Sequence, residues 1–369
     1  MNIECVREKL SEALSKITRI SQKNVTLPIL ECVFLRAEAN NLIIRSTNLD
    51  LGVELSIPAK VKEVGSVAVS AQLLYGIISN LSHEKSISLE LKDTLLICAT
   101  ESSVTKMKTL PVDDFPTIPR PDNGQEFTIV PNEIIEGLRS VMYSAAATSI
   151  KPELSSVMVA TDAGELVFAA TDSLRLAEKR LKSKKTKDIG TVLIPFKNIA
   201  DCIKILENYT GEMKMVVAPN QISFIAEGIF LTSRVINGIF PDYKQIIPKE
   251  FSSEIICLKE DILNALKIAN VFSDSLRQVY LHADSSKKIF EIQTKNAAAG
   301  ENTNRIDATI TGEAVQLSFN YKFISDCFQS IASDSVSFAT NGPHKPLIIR
   351  GVGDSSFRYL VMPISQVSQ

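Results

Sequence analysis

Histidine is scarce in this chain of 369 residues, cysteine is scattered, and neither sign of charge dominates. The three histidines, His83, His282 and His344, fall in unrelated positions. The six cysteines (Cys5, Cys32, Cys98, Cys202, Cys257 and Cys327) include no Cys-x-x-Cys pair. That spacing excludes a clustered zinc site and a dense secreted disulfide framework, so the thiols are read as reduced and mostly buried. No apolar run approaches the ~20 residues needed to span a bilayer. The opening Met1-Asn2-Ile3-Glu4-Cys5 lacks the basic and apolar regions of a signal peptide, so the chain is expected in the cytosol. There is no Gly-rich phosphate loop, Gly-x-Ser-x-Gly elbow or His-Glu-x-x-His. No catalytic residue, metal site or cofactor is therefore assigned. A formal net charge of −2 argues against a protein that grips nucleic acid through many phosphate contacts. It leaves room for a mildly basic local surface.

What the chain does have is repetition. Pro195-Phe-Lys-Asn-Ile-Ala-Asp-Cys202 returns as Asn320-Tyr-Lys-Phe-Ile-Ser-Asp-Cys327, an offset of 125 residues, with a fainter copy at Ser70-Ala-Gln-Leu-Leu74. Asp114-Phe115-Pro116 is echoed by Ile239-Phe240-Pro241 and Val361-Met362-Pro363. Ile44-Arg-Ser-Thr-Asn48 is echoed by Phe168-Ala-Ala-Thr-Asp172 and, weakly, by Glu291-Ile-Gln-Thr-Lys295. A period this long exceeds solenoid repeats of ~20–50 residues, so each copy is expected to be a domain with its own core. Pro-, Gly- and Ser-containing connectors at 118–124 and 248–253 place the boundaries at 1–122, 123–249 and 250–369.

Each copy reads helix, strands, helix, strands. Val6, Leu10, Ala13, Leu14 and Ile17 form the stripe of a first amphipathic helix. A second is predicted over Ser70–Leu81 with Leu73, Leu74, Ile77, Ile78 and Leu81 inward. Others are predicted from Pro131 through Ala145, from Pro195, over Lys259–Phe272 and over Tyr321–Ala332. Two helices and several antiparallel strands per copy give an α+β fold with helices gathered on one face of the sheets. Thr171-Asp172 recurs between copies, so it reads as a repeated structural turn rather than a nucleophile and base. Asp113-Asp114 reads as a surface turn. Arg180, Lys182, Lys184, Lys185 and Lys187 read as a solvated loop or a protected strand edge before they read as a nucleic-acid patch.

Several blocks together resemble the bacterial DNA polymerase III beta subunits, the sliding clamps: Thr26-Leu-Pro-Ile-Leu30, Asp114-Phe-Pro116, Ala170-Thr-Asp172 with Arg175-Leu-Ala177, Asn237-Gly-Ile-Phe-Pro-Asp-Tyr243 and Val361-Met-Pro363. The resemblance runs in order along the whole chain. It implies three similar domains of the DNA clamp fold and a head-to-tail homodimer whose six domains close a ring around double-stranded DNA. It implies a non-enzymatic processivity factor that binds the DNA polymerase III alpha subunit, the clamp-loader delta subunit, and other polymerases and repair proteins through short peptides, with no membrane role. A ring holds DNA by topology, which accommodates the weak net charge.

The resemblance also carries residues. A partner-peptide cleft is implied at Leu154, Thr171, Ser173, Leu174, Arg175, Leu176, Pro241, Ile246, Pro346, Leu360, Met362, Pro363 and Ile364. Leucines, prolines and a flexible methionine suit an apolar trough, with Thr171 and Arg175 as its polar rim; on the residues alone, most of these positions read as core at strand ends. Ser173, Leu174 and Gln245 depart from the family pattern. Thr105, Met107, Val271 and Phe272 are implied at the dimer interface, Thr105 being smaller than the family's usual residue. Lys9, Lys16, Arg19, Lys23, Arg139, Lys197, Lys204, Lys267 and Lys322 are implied to face DNA, amid Glu12, Glu133, Glu136, Asp201 and Asp326. Two readings compete with the clamp: an enzyme with a site near Thr171, Asp172 and Arg175, and a monomeric peptide-binding scaffold that never encloses DNA.

Overall fold

A computed structural model describes residues 1–21, 27–182, 188–272 and 276–364. It divides into two compact units, Met1–Ile135 with Lys197–Ile236, and Glu136–Phe196 with Asn237–Gln369.

The first unit holds β1 (Asn2–Val6), β2 (Cys32–Glu38), β3 (Asn41–Thr47), β4 (Leu51–Glu63), β5 (Gly65–Ser70), β6 (Ser86–Lys92), β7 (Leu95–Ala99), β8 (Val104–Leu110) and β9 (Gln125–Ile129). The second unit opens with β10 (Ser156–Asp162), β11 (Glu165–Thr171), β12 (Arg175–Lys182) and β13 (Thr191–Pro195). The chain then returns to the first unit for β14 (Met213–Ala218), β15 (Gln221–Ala226) and β16 (Ile229–Arg234). The rest lie in the second: β17 (Ser253–Leu258), β18 (Gln278–Asp284), β19 (Ile289–Asn296), β20 (Gly300–Arg305), β21 (Ala308–Gly312), β22 (Val315–Asn320), β23 (Ser335–Thr340), β24 (Leu347–Gly351) and β25 (Phe357–Val361).

In the first unit twelve strands run in the order β1-β6-β7-β8-β5-β2-β3-β4-β16-β15-β14-β9, and β1 also pairs with β4. That extra pairing closes the first eight strands on themselves and removes an edge. The long β4 makes both closures possible: its Ala59–Glu63 end pairs with β1, while its Leu51–Leu55 end pairs with β16 of the second copy. In the second unit nine strands run β13-β10-β11-β12-β25-β24-β23-β17-β21, and four more run β20-β19-β18-β22. Here β12 of the second copy pairs with β25 of the third, Arg175 facing Val361. In both units, then, adjoining copies share one antiparallel sheet.

The helices are α1 (Arg7–Ile17), α2 (Ala71–Asn80), α3 (Pro131–Val141), α4 (Phe196–Leu206), α5 (Lys259–Val271) and α6 (Tyr321–Ser325). α1 packs on α2 within the first unit, and α5 on α6 within the second. α1 buries Leu10, Ala13, Leu14 and Ile17. The stripe's fifth member, Val6, is instead the last residue of β1 and is exposed. α2 buries Leu74 and Ile78 but leaves Leu73 exposed. Its alignment follows from Ser70, whose hydroxyl caps the helix by accepting from the Leu73 amide. The helix predicted from Tyr321 to Ala332 is shorter: α6 gives way to a 3-10 segment at Asp326–Ser330. Residues 28–31 form a 3-10 turn ahead of β2. All six cysteines are buried and unpaired, and burial pushes the thiols of Cys5, Cys202 and Cys257 up to about 12. Among the described residues no helix is long and apolar enough to cross a membrane.

Candidate partner-binding trough

The turn between β11 and β12 is built by its own side chains. Thr171 Oγ1 donates to the Arg175 carbonyl at 2.7 Å and accepts from the Ser173 amide at 3.1 Å. Asp172 Oδ1 accepts from the amides of Leu174 and Arg175 at 3.0 and 2.9 Å. Ser173 sits in the left-handed region at φ 78°, a strained position for a residue with a Cβ. The Leu174 carbonyl then accepts from the Met362 amide, extending the β12–β25 pairing by one step. Thr171-Asp172 is thus a structural turn, as its recurrence predicted, and not a nucleophile with its base.

Arg175 is placed differently from the polar rim expected of it. Its side chain is only 10% exposed. Nε donates to Asp172 Oδ2 at 2.9 Å and Nη1 to Asp326 Oδ2 at 2.7 Å, while the guanidinium lies 4.5 Å from the centroid of the Phe323 ring. Burial opposes its charge, but Tyr359, Asp326 and Asp172 outweigh it and raise the pKa. Arg175 therefore bolts the turn to the segment that follows α6. Tyr359 adds a second bolt, its hydroxyl donating to the Phe323 carbonyl at 2.7 Å.

Above this turn lies a cavity of about 740 Å³. Leu176 and Leu360, directly opposite each other across β12 and β25 and both buried, form its floor. Leu154, Thr171, Ser173, Arg175, Pro241, Ile246, Pro346 and Met362 complete the predicted members that line it. Leu174, Pro363 and Ile364 are not among the lining residues; Leu174 and Ile364 are exposed beside it. Sequence reasoning left Asp242, Tyr243, Ile247 and Pro248 out of the cleft, named Gln245 only as a departure from the family pattern, and missed Asn341, His344 and Lys345. Residues 242–248 form a strap running on from Pro241, signalled in the sequence by the Phe-Pro-Asp-Tyr block and by Gln245. Tyr243 anchors the strap: it is buried, stacks edge-on with Phe240, and donates to Glu178 Oε2 at 2.6 Å. Burial, then Glu178, push its hydroxyl pKa well above the ordinary tyrosine value. Strap residues Ile246, Ile247 and Pro248 face the leucine floor, so the cavity is a mainly apolar trough suited to hydrophobic side chains of a short segment.

Three matches cover nearly the whole chain: the N-terminal domain of the DNA polymerase III beta subunit over residues 1–119, its central domain over 128–242 and its C-terminal domain over 244–365. The chain belongs to the DNA polymerase III beta subunit family. Membership makes it a sliding clamp of DNA replication and a non-catalytic one. The beta sliding clamp of Synechocystis is 27% identical, with 100% of both chains covered, and that of Caulobacter vibrioides is 25% identical over 99% of this chain and 100% of the relative. Solved structures give the same three-domain α+β clamp fold. The Pseudomonas aeruginosa subunit bound to griselimycin has a TM-score of 0.93 at 22% identity, and the Caulobacter crescentus clamp, with polyethylene glycol bound to a beta-motif tethering region, has 0.91 at 24%. Each covers 99% of this chain, and 100% of the solved chain is matched.

Against that identity, the other expected residues divide. Lys16 pairs with Glu12, Arg19 with Asp201, Lys197 with Asp50 and Lys204 with Glu207, at 3.3, 3.2, 2.5 and 3.1 Å. Lys9, Arg139, Lys267 and Lys322 are exposed; Lys23 lies outside the described residues. Of the expected interface residues, Val271 is 76% exposed and Thr105 half-buried. Met107 is 2% exposed, its side chain turned into the first unit's core, so it is not available to plug a partner. The alternation of β8 explains this: Met107 falls on the inward face, and Val104, Lys106 and Lys108 fall outward.

Proposed function

We propose that the chain works in the cytoplasm as a head-to-tail homodimer, with domains at 1–122, 123–249 and 250–369, that encloses double-stranded DNA. In this reading it is loaded by the delta subunit of a clamp loader and tethers the DNA polymerase III alpha subunit, with other polymerases and repair proteins, through the trough over Leu176 and Leu360. The observation that carries the tethering role is the open apolar trough, lined by ten of the thirteen residues expected to form the cleft. Leu174, Pro363 and Ile364 act as its outer shelf.

Retention on DNA rests on enclosure rather than charge. At least four of the nine expected DNA-facing cations are already paired within the chain, which suits sliding because few counterions need be released. Closure of the dimer would use β8, whose outer edge pairs with β5 only at Leu110 and Thr109 and so leaves Val104–Lys108 open to a second chain. Thr105, Val271 and Phe272 would flank that pairing.

The test is retention on nicked circular DNA after loading, followed by linearisation. Loss on linearisation supports enclosure; equal retention on both forms overturns it. A solution mass of one chain at micromolar concentration would favour the monomeric scaffold instead.

A further inference from the structure

Next to the trough, on the same face of the nine-stranded sheet, is a second and larger depression of about 830 Å³. The two share Ile247 and Pro248 of the strap as lining. Strand register explains the change of character between them. The trough floor is the row Leu176–Leu360. Two residues along the same strands, and therefore on the same face, comes the row Glu178–Arg358. The apolar trough thus passes in one step into a charged basin, with the Tyr243–Glu178 hydrogen bond on the line between them.

The charges in the basin are unequally used. Asp162 is taken by Arg180 and Lys244 at 2.9 and 2.7 Å. Glu254 is taken by Ser337 and Arg350 at 2.5 and 3.2 Å. Glu178 holds the Tyr243 hydroxyl, and Asp354 accepts from the Ser356 amide at 2.7 Å. Each of these carboxylates has a partner. Among the cations, Arg358 pairs with Glu178 only at 3.8 Å, and Lys249 has no ion pair among the described residues. Five cations, Arg180, Lys244, Lys249, Arg350 and Arg358, line the basin against four carboxylates, so its balance is positive, and it lies one row from the trough.

We propose that this basin is an acidic-flank site: it takes carboxylate side chains that adjoin the apolar anchors of a segment seated in the trough, with Arg358 and Lys249 as their partners. The inference rests on the trough reading and adds to it a charge preference for residues outside the anchors. Because both cations are solvated, the preference is modest and salt-sensitive.

The probe is a labelled neutral peptide, Ser-Leu-Ser-Leu-Phe, compared with versions carrying three glutamates or three glutamines at either end. Binding to the intact chain is read by fluorescence anisotropy. One glutamate-tailed form should bind about 3–10-fold tighter than its glutamine twin at low salt, and the gain should shrink below about 2-fold near 0.5 M salt. Arg358→Gln with Lys249→Gln should erase the gain and leave the untailed peptide unaffected. Equal affinities of the glutamate and glutamine forms, or a gain that survives the double substitution, overturns the basin. If no version binds, the trough reading falls and the basin with it.

Discussion

The chain builds the same junction twice and finishes it in two ways. In the first unit, β3 turns into β4, and β4 pairs with β16. In the second, β11 turns into β12, and β12 pairs with β25. The turns match bond for bond. Thr47 Oγ1 donates to the Leu51 carbonyl and accepts from the Leu49 amide, as Thr171 does with Arg175 and Ser173. Asn48 Oδ1 accepts from Asp50 and Leu51, as Asp172 does from Leu174 and Arg175. Leu49 has φ 74° and Ser173 78°. Glu54 faces Phe230 across the first junction, and Glu178 faces Arg358 across the second.

The connectors that follow differ in what they cover. In the first unit Ile118 lies so close over Gly52 that a Cβ there would meet its Cγ2 at 2.6 Å. Arg120 stacks 3.8 Å above Phe230 and pairs with Glu54 at 2.6 Å. The chain thus covers its own first junction. In the second unit, counting on from Phe240-Pro241, Tyr243 takes the place of Ile118 and Gln245 that of Arg120. Tyr243 reaches Glu178 with its hydroxyl, while Gln245 turns to Asp242 at 2.6 Å. The strap is pinned by Tyr243 to Glu178 and by Lys244 to Asp162, and the trough and the basin lie to either side of it. Filling one junction and propping the other open leaves a trough at the second of these two junctions and none at the first among the described residues.

The largest expected effect comes from a feature that the first turn lacks. Where the first turn has Asn48 and Leu51, the second has Asp172 and Arg175. Arg175→Ala strips two carboxylates of their cation, which should cost about 3–5 kcal/mol by denaturant unfolding. Leucine at 175 together with Asp172→Asn copies the first turn, removes one of the two carboxylates and should cost less; equal losses would show that Arg175 acts through Asp326 alone. Next comes Tyr243→Phe, which leaves Glu178 short of its donor and should cost about 1–3 kcal/mol. It also tests the sign of a pH effect. The folded-state pKa of Tyr243 is raised, so its contribution is complete below the ordinary tyrosine value near 10 and fades as pH rises above it. The parent's stability should therefore fall more steeply than the variant's above pH ~10; parallel curves would remove Tyr243 from the account.

How much of this was legible in the sequence follows from what kind of signal each feature leaves. The repeated Thr-Asn and Thr-Asp pairs showed the turns, because a side-chain-built turn depends on residue type at fixed spacing. The trough floor was legible only through the family resemblance, since Leu176 and Leu360 look like any strand core. Arg175 was misjudged as rim: its partner Asp326 lies 151 residues away, and no local pattern carries that. Met107 was misplaced because its inward or outward sense hangs on one step of strand register. Of the strap, Ile246 came only through the resemblance, and Tyr243, Ile247 and Pro248 were left out of the cleft because connector residues carry no periodicity, although Tyr243 stood in the block that identified the family.

A smaller effect should follow from copying the first junction's cover onto the second. Gln245→Arg with Arg358→Phe supplies the guanidinium, and a ring beneath it, beside Glu178. The added side chains should lie across the shared Ile247–Pro248 border and weaken trough peptides about tenfold, close to 1.4 kcal/mol, with little change in melting temperature. Unchanged peptide affinity would mean that the strap's backbone path, and not its side chains, keeps the trough open.

The smallest effect should come from uncovering the closed junction. Arg120→Ala removes a half-exposed ion pair to Glu54 and the stacking on Phe230. Exposed pairs contribute about 0.2–1 kcal/mol and an exposed cation–π contact about 0.5–1 kcal/mol. Glu54 keeps Arg45 at 2.5 Å, so its charge is not stranded. The variant should lose about 1 kcal/mol, part of it regained at high salt, and should gain no affinity for trough peptides, because Ile118 still lies over Gly52. Peptide binding by an Arg120→Ala chain whose second trough is blocked by the Gln245→Arg, Arg358→Phe pair would show the reverse: that the first junction is a latent site held shut by one arginine.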